Sequence, residues 1–142
     1  MAEISIKRAQ KKDIINFKNK EWRKFNKTLG RIIIPHRICF VALAKNKVVG
    51  SIEVSIWGGV VCIDNLIVAG KFRGKGIATL LLKKIEDLAL KKKCHKLTLR
   101  TSEDHKEAIS LYKKLGFKID AIIKEDKFHR DWYYLAKKIK GE

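Results

Sequence analysis

One proline and one methionine occur in 142 residues, and acidic side chains number 15 against 33 lysines and arginines. The near-absence of proline, with 46% hydrophobic residues, excludes a disordered chain and fits one packed domain spanning residues 1–142. Cys39, Cys62 and Cys94 are odd in number and include no Cys-x-x-Cys pair. That argues against a metal site or a redox dithiol, and the three read as small buried thiols in a reducing compartment. No apolar run approaches membrane length, and the N-terminal MAEISIKRAQKKD lacks the apolar core of a signal peptide. A soluble, cytoplasmic protein with no membrane partner is expected. The shortage of acid leaves a formal net charge of +18, but the basic residues are spread over every segment. Spread charge reads as a solvated surface and disfavours nucleic acid as a dedicated partner.

What the chain does have is a glycine-rich basic turn, Gly70-Lys71-Phe72-Arg73-Gly74-Lys75-Gly76-Ile77-Ala78, between an apolar run, 60–68, and a helical pattern from Ile77 to about Leu90. Such a turn is built for oxyanions. The first N–H groups of a helix have no internal partner, and the helix dipole adds positive charge at that end. Gly74 and Gly76 carry no Cβ to hold a guest away from those groups, while Lys71, Arg73 and Lys75 bring full charges. Two common phosphate loops are excluded by spacing. A Walker loop needs four residues between its glycines and Ser or Thr after the lysine, and a dinucleotide loop needs a third glycine where this chain has Thr79.

Around the turn the pattern alternates between periods. Ile4-Ser5-Ile6 opens as a short strand. Ile14, Phe17, Trp22 and Phe25 follow at mixed helical spacings behind Asp13 as N-cap, which predicts one broken helix or two short ones to about Leu29. A loop over 30–37 leads to a strand over 39–44 and a turn at Lys45-Asn46-Lys47. The alternating strand around Ile52, Val54 and Ile56 turns at Gly58-Gly59 into 60–68, which is apolar on both sides and suits the middle of a covered sheet. Ile77, Leu80, Leu81, Ile85 and Leu88 form one helical stripe, and Leu97 and Leu99 mark the next strand. Asp104 is positioned to cap a helix with the stripe Ala108, Leu111, Tyr112 and Leu115 and with Gly116 at its end. Two last strands cover 117–123 and 132–139, flanking a loop over 124–130.

Two motifs now stand in this order: Arg73-x-x-Gly76-x-Ala78 at a strand-to-helix junction, and Ala108-x-x-Leu111-Tyr112-x-Lys114-x-Gly116-Phe117. Together with the element order they resemble the GCN5-related N-acetyltransferase (GNAT) family over essentially the whole chain. The resemblance implies a mixed α/β (α+β) fold: a central mixed, mostly antiparallel sheet of about seven strands flanked by helices, with splayed fourth and fifth strands. It implies transfer of an acetyl group from acetyl-CoA to a primary amine by direct attack in a ternary complex, without a metal. Arg73, Gly74, Lys75, Gly76, Ile77 and Ala78 would take the pyrophosphate. Leu66 and Val68 would pair with pantetheine, and an N–H near them would face the oxyanion. Tyr112 matches the family's acid for the leaving thiolate, and a phenol of pKa near 10 can protonate a thiol of pKa near 8.5 only within hydrogen-bond reach. Its other reading is a core tyrosine. Asp64 is the lone carboxylate of 60–68, near where some family members carry a base, so it is either a general base or structural. His105 stands where family members often have asparagine; it either keeps a hydrogen bond to the coenzyme, serves as a base, or is an exposed helix-start residue.

The acceptor is less legible. The cationic surface disfavours lysine-rich tails, and the small size and Tyr133-Tyr134 look like protein N-terminal acetyltransferases. A peptide N-terminus or a small molecule is expected, a cationic one needing the carboxylates of Asp64, Glu53 and Glu103. His36 and His129 fall in expected loops near the acceptor side. A monomer or homodimer is expected. Two rival classes are a non-catalytic acyl-CoA-binding module, suggested by His105, and a nucleic-acid-binding protein, suggested by the charge.

Overall fold

A computed structural model describes residues 3–28 and 36–139, and the chain divides into two compact units, 1–34 and 35–142. In the first unit α1 (Lys11–Thr28) is one uninterrupted helix, not the broken one expected from its mixed spacings. No glycine or proline falls between its ends, so nothing interrupts the hydrogen-bond ladder. Asp13 is its third residue and not its N-cap: the carboxylate accepts from the Gln10 backbone N–H at 2.9 Å, the return half of a capping box. Trp22 and Phe25 meet edge to face at 5.5 Å. The expected strand at Ile4–Ile6 does not form. Both isoleucines are exposed, and three alternating residues bury too little apolar area to order an extended segment without a partner strand. Of the expected loop over 30–37, residues 30–35 lie outside the described residues.

The second unit is a six-stranded sheet in the order β1-β2-β3-β4-β6-β5, built from β1 (His36–Ala44), β2 (Lys47–Trp57), β3 (Val60–Val68), β4 (Lys96–Ser102), β5 (Lys118–Ile123) and β6 (Trp132–Lys138). Six strands stand where about seven were expected, because the N-terminal one is absent. His36 and Arg37 belong to β1, where a loop was expected: they continue its antiparallel pairing opposite Ile56 and Ser55. Two-residue turns with positive φ at both positions, Lys45-Asn46 and Gly58-Gly59, close the β1–β2 and β2–β3 hairpins, and that twist matches the strands they join. Among the described residues the one parallel contact is β3 with β4. It is fed by a crossover through α2 (Ile77–Lys91), and α3 (Lys106–Lys114) follows β4.

The core of this unit lies between α2, α3 and one face of the sheet. Ile52, Ile85, Leu97 and Leu135 are completely or almost completely buried. The buried stripe of α2 is Leu81, Leu82, Ile85 and Ala89, rotated from the expected one, and Leu80 is 68% exposed. Helical period alone allows either stripe; the contact with β2 and β3 decides. On α3, Ile109 and Tyr112 are buried, with Ala108 and Leu115 packed at the edge. Asp104 does not cap α3. His105 is the flanking residue and offers no side-chain cap, while Asp104 is drawn to Ser102 and Arg130. Of the cysteines only Cys94 is buried as expected; Cys62 is half-buried and Cys39 exposed, since β1 is an edge strand whose outward residues face solvent.

Gly50 sits where α2 begins: a Cβ there would stand 3.1 Å from Ile77 Cγ2 and 3.3 Å from the Ile67 carbonyl oxygen. Gly50→Val should therefore lower unfolding stability by about 1–3 kcal/mol, read by denaturant titration. Unchanged stability would show that the start of α2 shifts freely.

Candidate functional site

The turn after β3 is tight. Residues 70–72 form one 3-10 turn, and the Arg73 amide bonds back to the Gly70 carbonyl at 3.3 Å. Gly74 and Gly76 then take φ of 74° and 80°, a backbone that L side chains resist. A Cβ on either would meet nothing within 4 Å, so these glycines are required by conformation and the space above them is open. The N–H groups from Gly74 to Thr79 have no partner among the described residues, and α2 has no side-chain cap. Six successive unpaired donors at a helix start, beside Lys71, Arg73 and Lys75, form a nest that fits a pyrophosphate. The side chains are themselves ordered. Arg73 Nε donates to the Val68 carbonyl at 3.0 Å, tying the loop to the end of β3, and Lys75 lies 5.4 Å from the Phe72 ring centre.

β3 and β4 pair only from Val60–Lys96 to Ile63–Leu99, although β3 runs on to Val68 and β4 to Ser102. Beyond Ile63 and Leu99 the strands part, as expected for the splayed pair. Leu66 and Val68, both half-buried, lie on that free length and are held from the other side by Ile52 and Gly50 of β2. The β2–β3 register shifts at the same point: Glu53 faces Asn65 and Val54 faces Ile63, leaving Asp64 as the extra residue of a bulge. Asp64 is exposed, contrary to the buried carboxylate that its apolar neighbours suggested, because alternation from the buried Val61 and Ile63 points it to the outer face. The second half of β3 is correspondingly open where a fully covered strand was expected. Ser55 Oγ donates to Asp64 Oδ2 at 2.6 Å and fixes the carboxylate. Ser55 was not singled out from the sequence, although the two-residue Gly58-Gly59 turn sets it opposite Cys62 and so two positions from Asp64.

Tyr112 is 9% exposed and packs edge to face on Phe117 at 5.7 Å. Burial pushes its phenol above the ordinary tyrosine value, and its hydroxyl has no hydrogen bond to a described residue. Tyr112 thus lies on the helix-covered face of the sheet and Asp64 on the other. The structure brings them to opposite faces and not into contact. His105 is exposed, with Nδ1 3.1 Å from Thr101 Oγ1 at the end of β4, so it is an ordered helix-start residue. A cleft of about 220 Å³ between α2 and the chain just past α3 is lined by Thr79, Lys83, Asp87, Leu90, Leu115 and Phe117 among others.

The loop joining β5 and β6 is pinned at Asp131. Its carboxylate takes Lys124 Nζ at 2.8 Å and the Glu125 N–H at 3.1 Å, and its own N–H donates to Glu103 at 3.3 Å. The bond with Lys124 holds the Asp131 carboxyl below its usual range and the lysine above its own. Glu103 is thereby committed to structure, and of the three carboxylates expected to serve a cationic acceptor Glu53 and Asp64 are exposed. His129 sits in a 3-10 turn of this loop, as expected. Among the described residues no group of His, Cys, Asp and Glu has the arrangement of a metal site, and no helix is long and apolar enough to cross a membrane.

Comparison with known proteins follows the same lines. Streptothricin acetyltransferase of Escherichia coli is 32% identical over 85 residues, 59% of this chain and 49% of that protein. Thialysine N-epsilon-acetyltransferase of Mus musculus is 38% identical over 63 residues, 44% of this chain and 37% of that protein. The chain therefore spans half or less of the length of these relatives. An acetyltransferase from Bacillus cereus ATCC 14579 shares the fold, with a TM-score of 0.78 at 19% identity over 95% of this chain and 97% of that one. Residues 6–117, which hold the parted strands, the loop and the Tyr112 helix, match the family described as "Acetyltransferase (GNAT) family", and the chain belongs to that family.

Proposed function

We propose that residues 1–142 act as one acetyltransferase domain that moves an acetyl group from acetyl-CoA to a primary amine, a peptide N-terminus or a small molecule, by direct attack. The observation that carries this reading is the nest of unpaired N–H groups at Gly74–Thr79, set at the open end of the β3–β4 split. The coenzyme supplies an activated thioester. Gly74, Lys75, Gly76, Ile77 and Ala78 hold its pyrophosphate through the backbone, with Arg73 adding charge. The free length of β3 at Leu66 and Val68 offers backbone groups to the pantetheine amides and an N–H to the developing oxyanion. His105 steadies the coenzyme from the start of α3 through the Thr101 contact.

The two sheet faces divide the proton work. Asp64, solvent-accessible and aligned by Ser55, takes the proton of the attacking amine, directly or through water. Tyr112, kept neutral by burial, gives its proton to the departing thiolate from the opposite face. A base and an acid on opposite sides of one cleft cannot neutralise each other, which keeps both in their working forms.

Thermal unfolding with acetyl-CoA is the direct test. Ligand at one hundred times its Kd should add about 2.7 kcal/mol, a rise of several degrees in Tm. Arg73→Ala should shrink that rise, and absence of any rise in the unaltered protein would remove the reading. Tyr112→Phe should lower kcat by about 10²-fold or more with the Tm shift by acetyl-CoA retained. Equal turnover would take the acid role from Tyr112.

The raised phenol has its own signature. Its folded-state pKa lies above the unfolded value, so its contribution to stability is present below the unfolded pKa and lost as pH rises through the folded one. The difference in 295 nm absorbance between wild type and Tyr112→Phe should titrate above about pH 10. A midpoint at or below it would show that the phenol is not desolvated.

A further inference from the structure

Asp64 and Arg100 are the first residues past the last β3–β4 pair, Ile63–Leu99, one on each lip of the split. They share a face. Along β4, Leu97 and Leu99 are buried beneath the helices, so Thr98 and Arg100 point the other way. Along β3, Val61 and Ile63 are likewise buried, so alternation puts Asp64 on the face of Cys62. The Cys62 thiol registers both charges: burial is the main cause of its rise, contact with Thr98 opposes it, Asp64 adds to it and Arg100 subtracts. Both side chains are exposed, and they do not pair with each other. Asp64 accepts from Ser55 and from the neighbouring Cys62 thiol, which leaves acceptor capacity on its carboxylate, and Arg100 has no hydrogen bond or ion pair to a described residue. Opposite charges on adjoining lips that do not neutralise each other leave both available to a guest.

We infer that Asp64 and Arg100 form a two-point site for an amino-carboxylate acceptor, a free amino acid or a close relative, with Arg100 taking the carboxylate and Asp64 the amine. This rests on the acetyl-transfer reading of the same cleft and narrows its substrate class. A guanidinium is planar, permanently charged and forked to match a carboxylate. An acceptor with amines alone meets Arg100 as a like charge, on a chain whose net charge of +18 already repels it. An acceptor with a carboxylate converts both penalties into attraction.

The test uses the full chain with saturating acetyl-CoA and two matched series: lysine, lysinamide and cadaverine, and alanine, alaninamide and ethylamine, with thiol release and product mass as readouts. The unaltered protein should prefer the carboxylate member of each series in kcat/KM. In Arg100→Ala that preference should fall by about tenfold, the factor that roughly 1.4 kcal/mol of charge-assisted pairing supplies, and Arg100→Lys should retain part of it. Preference for the decarboxylated amines in the unaltered protein, or the same preference in Arg100→Ala, overturns the site. If no amine is acetylated, the acetyl-transfer reading fails, and binding of the same compounds to the coenzyme A-loaded protein, followed by NMR line broadening, decides the site separately. Carboxylate-selective binding lost in Arg100→Ala upholds it, and unselective or absent binding overturns it.

Discussion

Everything at the cleft depends on a parallel ladder that stops after Ile63 and Leu99. Up to that point β3 and β4 are locked by Val61, Ile63, Leu97 and Leu99, all buried under α2 and α3. Past it, β2 still holds β3 from one side and β6 still holds β4 from the other, so the two lips are rigid although they do not touch. A sheet opened in its middle normally exposes unpaired N–H and C=O groups to no purpose. Here the opening lies at the C-terminal end of β3, where the chain turns into α2 and its own unpaired N–H groups gather. Two sets of unsatisfied donors and acceptors therefore meet at one opening. That arrangement suits an extended ligand with an anionic end.

The bulge at Asp64 is the second consequence of the same break. Without it, strict alternation through 60–68 would carry Leu66 to the outer face, because Ile63 and Leu66 are three residues apart and yet both pair with core residues of β2. The inserted residue absorbs that mismatch, leaving Asp64 and Asn65 together on the outer face. Asp64 itself faces outward by alternation from Ile63, and Ser55 sets its direction.

Much of this was legible in the residues. The glycine spacing at 70–76, the hairpin turns at 45–46 and 58–59 and the helical motif ending at Gly116-Phe117 each encode local geometry, and local geometry is what short-range sterics dictate. The errors fell where distant contacts decide. Ile4–Ile6 alternates like a strand but acquires no partner, α2 could present either of two overlapping stripes, and Asp104 had a competing partner in Arg130, 26 positions along the chain. Cys39, in an apolar run, is exposed, whereas Cys94, between Lys93 and His95, is buried, because strand face and edge position decide and not the neighbours in sequence.

The sequence by itself determined the family and the glycine-rich helix-start loop, and it singled out Tyr112, Asp64 and Arg73 as candidates, because these follow from residue types at fixed short spacings. Only the tertiary structure decided that β3 and β4 part after four pairs, that Asp64 and Tyr112 occupy opposite faces, and that Arg100 stands across from Asp64. Those are relations between strands joined through some thirty intervening residues. Register, bulge and sheet face are properties of pairing, and no short spacing along the chain carries them.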